Sequence, residues 1–214
     1  MIYLLWCTCR PNKFKDYHRV WMERAVHPED VYTRVAVDSI SDYNEVEEYN
    51  AIIVKNPDFG IVHPLNCLCE KLKAQPDDII VVPSDDFLAP DHWDMYLKEQ
   101  FIEFSGVLKV NDGSMKDIIS IPVMTYEAFE KMNRVIYHPA YQHMYSDKEL
   151  ERNARDLGIL KEADHTHPEF RHHHYIHSTR HKDEFDERVN SDFGKYKELY
   201  EKRAKMPVEE RLKK

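Results

Sequence analysis

Asp78-Ile79-Ile80-Val81-Val82 is the segment that most narrows the possible folds. It is a continuous, mostly β-branched run with no polar alternation, so a strand here needs cover on both faces and belongs at the centre of a sheet. It runs straight into Pro83-Ser84-Asp85-Asp86-Phe87. Around it, apolar runs and helical periodicities alternate. Ile2 to Cys9 reads as a buried strand closed by Arg10-Pro11-Asn12, and Phe14 to Val26 as the first helix. Val31 to Val37 and Ala51 to Val54 read as strands, and His63 to Ala74 as a helix with Leu65, Leu68 and Leu72 inside. A helix is expected over Asp91 to Phe104 with an aspartate at its N-cap, then strands over Val107 to Val110 and Ile118 to Val123. A last helix opens at Ser146 and closes at Gly158. Strands alternating with helices imply an α/β sandwich on a largely parallel sheet.

Composition removes several functions. The 214 residues carry a formal net charge of −9, which excludes a globally basic surface for nucleic acid. The five glycines are too far apart for a dinucleotide fingerprint or a P-loop. No segment approaches the ~18 apolar residues of a membrane span, and the apolar start Met1 to Trp6 lacks the basic region of a secretory signal. Cys7, Cys9, Cys67 and Cys69 are therefore expected as reduced thiols of a soluble cytoplasmic protein. Composition changes after Leu160, since residues 161–183 hold seven of the thirteen histidines and 182–214 is a charged helical stretch. Residues 1–160 are read as the main domain and 161–214 as an appendage laid on it or extending from it.

Ligands of open α/β sheets bind beyond the carboxyl ends of the strands. Three such ends are polar here: Thr8-x-Arg10, Asp38 and Asp85-Asp86. Adjacent carboxylates at the end of a buried strand repel unless a cation or a hydrogen-bonding loop holds them, and oxygen ligands of this kind suit Mg²⁺ or Mn²⁺ bridging to phosphates. An isolated Asp-Asp otherwise forms a solvated turn, and an isolated Asp147 would simply favour its helix N-terminus.

The run from Asp78 through Asp85-Asp86-Phe87 to Pro90 resembles the strand, acidic motif and downstream proline of GT-A nucleotide-sugar glycosyltransferases of the family 2 type. Thr8-x-Arg10-Pro11 resembles that family's first-strand loop, Asp38 its base-reading acid, and Asn66 the asparagine of its third helix. Tyr145-Ser146-Asp147-x-x-Leu150 resembles its Glu-Asp-x-x-Leu motif, whose aspartate is the general base. The block from Val107 through Asn111-Asp112-Gly113, with Tyr137-His138-Pro139, is similar to short phage-encoded members, for which a host cytoplasm is implied. The likeness spans roughly residues 1–160. It implies a GT-A (Rossmann-like) α/β/α sandwich and an inverting, metal-dependent transferase. Its donor is a nucleotide-diphosphate sugar, with a UDP-sugar expected. Its acceptor is a hydroxyl of a glycan, a small molecule or a modified base of nucleic acid. Thr8, Arg10, Asp38, Asn66, Asp85, Asn111 and Asp112 are then the donor contacts. Asp86 becomes the main ligand of Mn²⁺ or Mg²⁺, because Ser84 stands at the first position of the acidic motif. Ser146 likewise replaces the Glu before the base, and no Q-x-x-R-W of processive synthases is present.

The tract His165-x-His167 … His172-His173-His174 … His177 … His181 lacks regular zinc spacing, so most of these histidines are expected on exposed loops. The family's habit of recruiting one C-terminal histidine to the metal points to His167 or His165. Cys67 and Cys69 diverge by ~200° on a helix, which disfavours a four-thiolate site. Trp6, Trp21 and Trp93 are read as core or rim aromatics. Two other readings remain at this point: a non-catalytic GT-A-like module that binds a nucleotide or glycan, and a His-rich metal-binding protein.

Overall fold

The β-branched run does form the middle strand of a seven-stranded sheet. In the computed structural model, which describes residues 1–56, 60–113, 117–173, 187 and 193–214, the strands are β1 (Ile2–Cys7), β2 (Val31–Val37), β3 (Ile52–Ile53), β4 (Ile79–Val81), β6 (Val107–Lys109), β7 (Pro122–Thr125) and β8 (Leu160–Glu162). Their order is β3-β2-β1-β4-β7-β6-β8, with β7 antiparallel to both neighbours and every other pairing parallel. A separate ribbon pairs β5 (Phe87–Leu88) antiparallel with β9 (Arg171–His172).

Alternation along the central strands sends side chains into two cores. Ile2, Leu4 and Trp6 of β1 and Ile79 and Val81 of β4 meet Phe14 and Trp21 of α1 (Pro11–Glu23) and Trp93 and Leu97 of α4 (Trp93–Gln100). On the other face Leu5 and Ile80 meet Leu65 and Leu68 of α3 (Val62–Glu70), Phe129 of α5 (Tyr126–Lys131) and Leu150 and Ala154 of α6 (Ser146–Asp156). The chain beyond residue 160 joins that second core through Tyr196 of α7 (Phe193–Arg203) and through Leu212, just after α8 (Val208–Arg211).

Several boundaries differ from the sequence reading. The first helix starts at Pro11, because proline's fixed φ suits the first helical turn. Asp91 does not cap α4: it is 81% exposed beside Arg24, and the N-cap is His92 in the left-handed region. The acid that matters there is Asp94, fully buried, which accepts the Val26 and His27 amides at 2.8 Å each and so ties α4 to the end of α1. The strand expected at 118–123 is displaced to Pro122–Thr125, where Met124 and Val123 pair with both β4 and β6. Two helices were not anticipated: α2 (Ile40–Val46), capped by Ser39, and α5, capped by Thr125. Among the described residues no helix is long and apolar enough to cross a membrane.

Candidate donor and metal site

At the carboxyl ends of β1 and β4, Asp85 gathers three donors. Trp6 Nε1 reaches Oδ1 at 3.2 Å, while Thr8 Oγ1 and Arg10 Nε reach Oδ2 at 3.0 Å each. Thr8 Oγ1 also accepts the Arg10 amide at 2.9 Å, which shapes the loop after β1. Only 4% of Asp85 is exposed, and burial pushes its carboxyl up while the Arg10 guanidinium and the Trp6 indole pull it back. The sequence already placed Thr8, Arg10 and Asp85 at strand ends, and the pairing of β1 with β4 makes those ends neighbours. Trp6 was missed, although as the penultimate residue of a strand pointing one way it was the natural candidate. Its ring lies wholly in the core, as do Trp21 and Trp93, and only its N–H enters the site.

Asp86 turns the other way. Ser84 Oγ donates to its Oδ1 at 2.5 Å, and His172 Nε2 stands 3.4 Å from its Oδ2. The residue that departs from the acidic motif therefore supports the carboxylate that remains. His172 is delivered by ribbon pairing: Phe87 and His172 are register partners, their rings stack at 4.0 Å and 13°, and the His173 amide donates to the Asp86 carbonyl at 2.6 Å. Tyr17 on α1 contacts His173 Nδ1 at 3.3 Å. Whereas most of the tract is expected on exposed loops, His172 and His173 are half-buried, because strand pairing folds them onto the acidic motif. His174, His177 and His181 lie outside the described residues.

The histidine beside Asp86 is accordingly His172 rather than either one named from the sequence. His165 is exposed, and His167 contacts Asp164 at 3.0 Å and sits edge-on to Tyr96. Among the described residues no cluster of three or more His, Cys, Asp or Glu side chains could hold a metal by itself. Asp86 with His172 still fits a divalent cation of the Mn²⁺ or Mg²⁺ type. Such ions are commonly held by one or two protein groups, with substrate phosphates and water completing the shell, and imidazole beside carboxylate favours Mn²⁺ over Mg²⁺.

Asp147 occupies a different environment. It lies in the first turn of α6, whose N-cap Tyr145 is left-handed at φ 68° and wedged against Phe193 and Tyr200 of α7 at 5.1 and 5.6 Å. The backbone leading into α6 is fixed by Gly60, where a Cβ would stand 2.2 Å from the Gln142 carbonyl oxygen. Ser146 Oγ, the other departure from the family pattern, donates to the His143 carbonyl at 2.5 Å and closes the same turn. Asp147 accepts the Lys148 amide at 2.7 Å, yet burial pushes its carboxyl up to about 6. It acts electrostatically on buried Tyr137, which also feels Cys7, and Cys7 in turn feels Asp85.

The remaining sequence candidates are spread around this centre. Asp38 lies half-buried past the end of β2, where it acts on Cys9, and burial together with Asp42 raises its carboxyl. Asn66 donates to the Tyr137 carbonyl at 3.2 Å while its buried Oδ1 has no partner among the described residues. Asn111 and Asp112 serve the loops: Asn111 holds the His167 carbonyl, the Gly113 amide and the Phe170 amide, and Asp112 accepts from Ser120. They are not brought to Asp85 by any bond among the described residues.

No protein-family model matches the chain, and no curated protein does so by sequence. Solved structures do. S. aureus TarS 1–349 in complex with UDP-GlcNAc superposes with a TM-score of 0.66 at 14% identity, over 92% of this chain and 64% of that one. The same fragment with UDP gives 0.62 at 12% identity, covering 98% and 76%. Mannosyltransferase PcManGT from Pyrobaculum calidifontis, with GDP-Man and Mn²⁺, gives 0.56 at 10% identity, covering 80% and 55%. The chain thus spans a little under two thirds of the first of these and about half of the last. The fold is that of GT-A glycosyltransferases.

Proposed function

We propose that the protein is an inverting glycosyltransferase that moves a sugar from a nucleotide-diphosphate sugar, with UDP the expected nucleotide, to an acceptor hydroxyl. The observation that carries this reading is Asp147. A carboxyl that gives up its proton near pH 6 can be ionised at neutral pH and still be basic enough to take a proton. It opens α6 in a GT-A fold whose β4 is followed by Asp85 and Asp86.

In this reading Arg10, Thr8 and Asp85 orient the nucleotide's ribose or sugar, Asp38 reads the base, and the unpaired Asn66 Oδ1 is available to a donor hydroxyl. Asp86 and His172 would hold a divalent cation, which when bound would supply positive charge to the diphosphate leaving group. Asp147 accepts the acceptor's proton as its oxygen attacks the anomeric carbon from the side opposite the leaving group. That displacement inverts the centre. The superposed neighbours named for UDP-GlcNAc, UDP and GDP-Man with Mn²⁺ support the donor class and the metal. The acceptor could be a glycan, a small molecule or a modified base, and the −9 charge gives the last no electrostatic help.

The test is calorimetric titration of UDP with and without Mn²⁺, alongside hydrolysis of UDP-sugars without acceptor. Asp86→Ala and His172→Ala should each abolish most of the Mn²⁺-dependent gain in UDP affinity. UDP binding indifferent to Mn²⁺ and to both substitutions would remove the metal from the reading. A protein that binds UDP-sugars but turns over none, with any acceptor, would be the non-catalytic module.

A further inference from the structure

The opposite end of the sheet carries a second feature. A cleft of about 480 Å³ opens where β1 and β2 begin, lined by Tyr3, Tyr32, Arg34, Asn50, Lys71 and Lys73 among others. Tyr3 lies five residues before Thr8 along an extended strand, so the cleft is ~17 Å from the donor site and cannot be part of it. It exists because β3 is only two residues long and pairs with Ala36 and Val37, leaving the first half of β2 uncovered on that side. Asn50, left-handed at φ 54°, turns the chain there and ties itself to the edge by donating to the Thr33 carbonyl at 3.1 Å.

Its chemistry is selective. Arg34, Lys71 and Lys73 are three cations, and no carboxylate lines the cleft among the described residues, on a protein whose net charge is −9. Among the described residues neither lysine is in an ion pair, both are exposed, and Arg34 gives one nitrogen to the Leu68 carbonyl at 2.9 Å. Asp78, whose field reaches Tyr3, is already bonded to the Met1 amine at 2.9 Å and the Gln75 amide at 2.7 Å. Beside the cations the rings of Tyr3 and Tyr32 meet edge to face at 5.7 Å, and Tyr32 is 40% exposed. Converging cations recognise a phosphate, exposed aromatic faces recognise a ring, and the volume falls in the range of small-ligand sites.

We infer that this cleft is a binding site for a phosphate ester carried on a ring, a phosphosugar or a nucleotide, separate from the donor site. The cations hold the phosphate, Tyr32 packs on the ring, and Asn50 Oδ1 is placed to accept from a ring hydroxyl or amino group. The inference does not depend on the transferase reading.

Chemical-shift titration of the full-length protein with inorganic phosphate, glucose 6-phosphate and uridine monophosphate tests it. Amides of Tyr32, Arg34, Asn50, Lys71 and Lys73 should move with at least one of the ring phosphates, which should bind more tightly than inorganic phosphate. Whichever of the two binds identifies the source. The double charge reversal Lys71→Glu with Lys73→Glu should weaken that affinity by about tenfold or more. Tyr32→Ala should weaken the ring phosphate and leave inorganic phosphate unchanged. Shifts confined to the Asp85–Asp86 end, equal affinity for all three probes, or indifference to the lysine reversals would each overturn the proposal.

Discussion

Asp85 follows β4 and Asp147 opens α6, and the two carboxylates have different surroundings. Asp85 is buried against an indole N–H, a hydroxyl and a guanidinium, all converging within 3.2 Å. Burial still raises its carboxyl, but the Arg10 guanidinium pulls it back and the three donors hold it still, which suits a group that orients a ligand. Asp147 accepts the Lys148 amide and feels the Lys148 charge, but among the described residues no guanidinium is bonded to it, and burial raises its proton affinity to about 6. Two identical side chains thus differ in their partners, and the difference follows from which neighbours the fold supplies.

The strongest way to break this comparison is Asp147→Asn. Loss of a positioned general base is worth ~10²–10⁴ in rate, so turnover should fall at least ~100-fold while UDP binding in Mn²⁺ stays near wild type. In the wild type, turnover should rise with pH through about 6 as the carboxylate forms, and the variant should lack that limb. Wild-type turnover in Asp147→Asn would take Asp147 out of the chemistry.

The next effect concerns what holds Asp147 in place. Glu149, two residues on and 2% exposed, receives Arg203 of α7 through Nε at 2.9 Å and Nη2 at 2.8 Å. Arg203 also donates to the Arg211 carbonyl at 2.7 Å, and Arg211 reaches Asn153 at 2.8 Å. Removing one partner of a buried pair leaves the other charge stranded, so Arg203→Met should cost roughly 3–5 kcal/mol in denaturant unfolding. An Arg203→Met variant with wild-type stability would show that α6 stands without its C-terminal clasp.

The smallest effect sharpens the Asp85 side. Trp6→Phe keeps the ring in the core but deletes one of three donors, and should lower stability by about 1 kcal/mol and weaken UDP binding modestly. A loss as large as that of Arg10→Ala would mean that the indole, and not the guanidinium, anchors Asp85.

Much of the scaffold was legible in the chain. β2 spans the seven residues expected of it, β4 follows from an unbroken β-branched run, and α6 starts at Ser146 with Gly158 in the left-handed conformation that ends it. These features rest on periodicity and turn chemistry acting over a few residues, which any short window of sequence contains. The short helices α2 and α5 span fewer than two turns, too few to repeat an apolar stripe, and β5 and β9, at two residues each, exist only through their mutual pairing.

The sequence alone determined the α/β layering, the central strand and the acidic pair at its carboxyl end. Tertiary structure decided which distant side chains complete them: Trp6 meets Asp85 across 79 positions, and Arg203 meets Glu149 across 54. It also brought His172, and not His165 or His167, to Asp86, and assembled the cationic cleft from four separate segments. Local pattern sets how a segment folds, but the partner of a buried charge is chosen by chain path and packing, which no local period encodes.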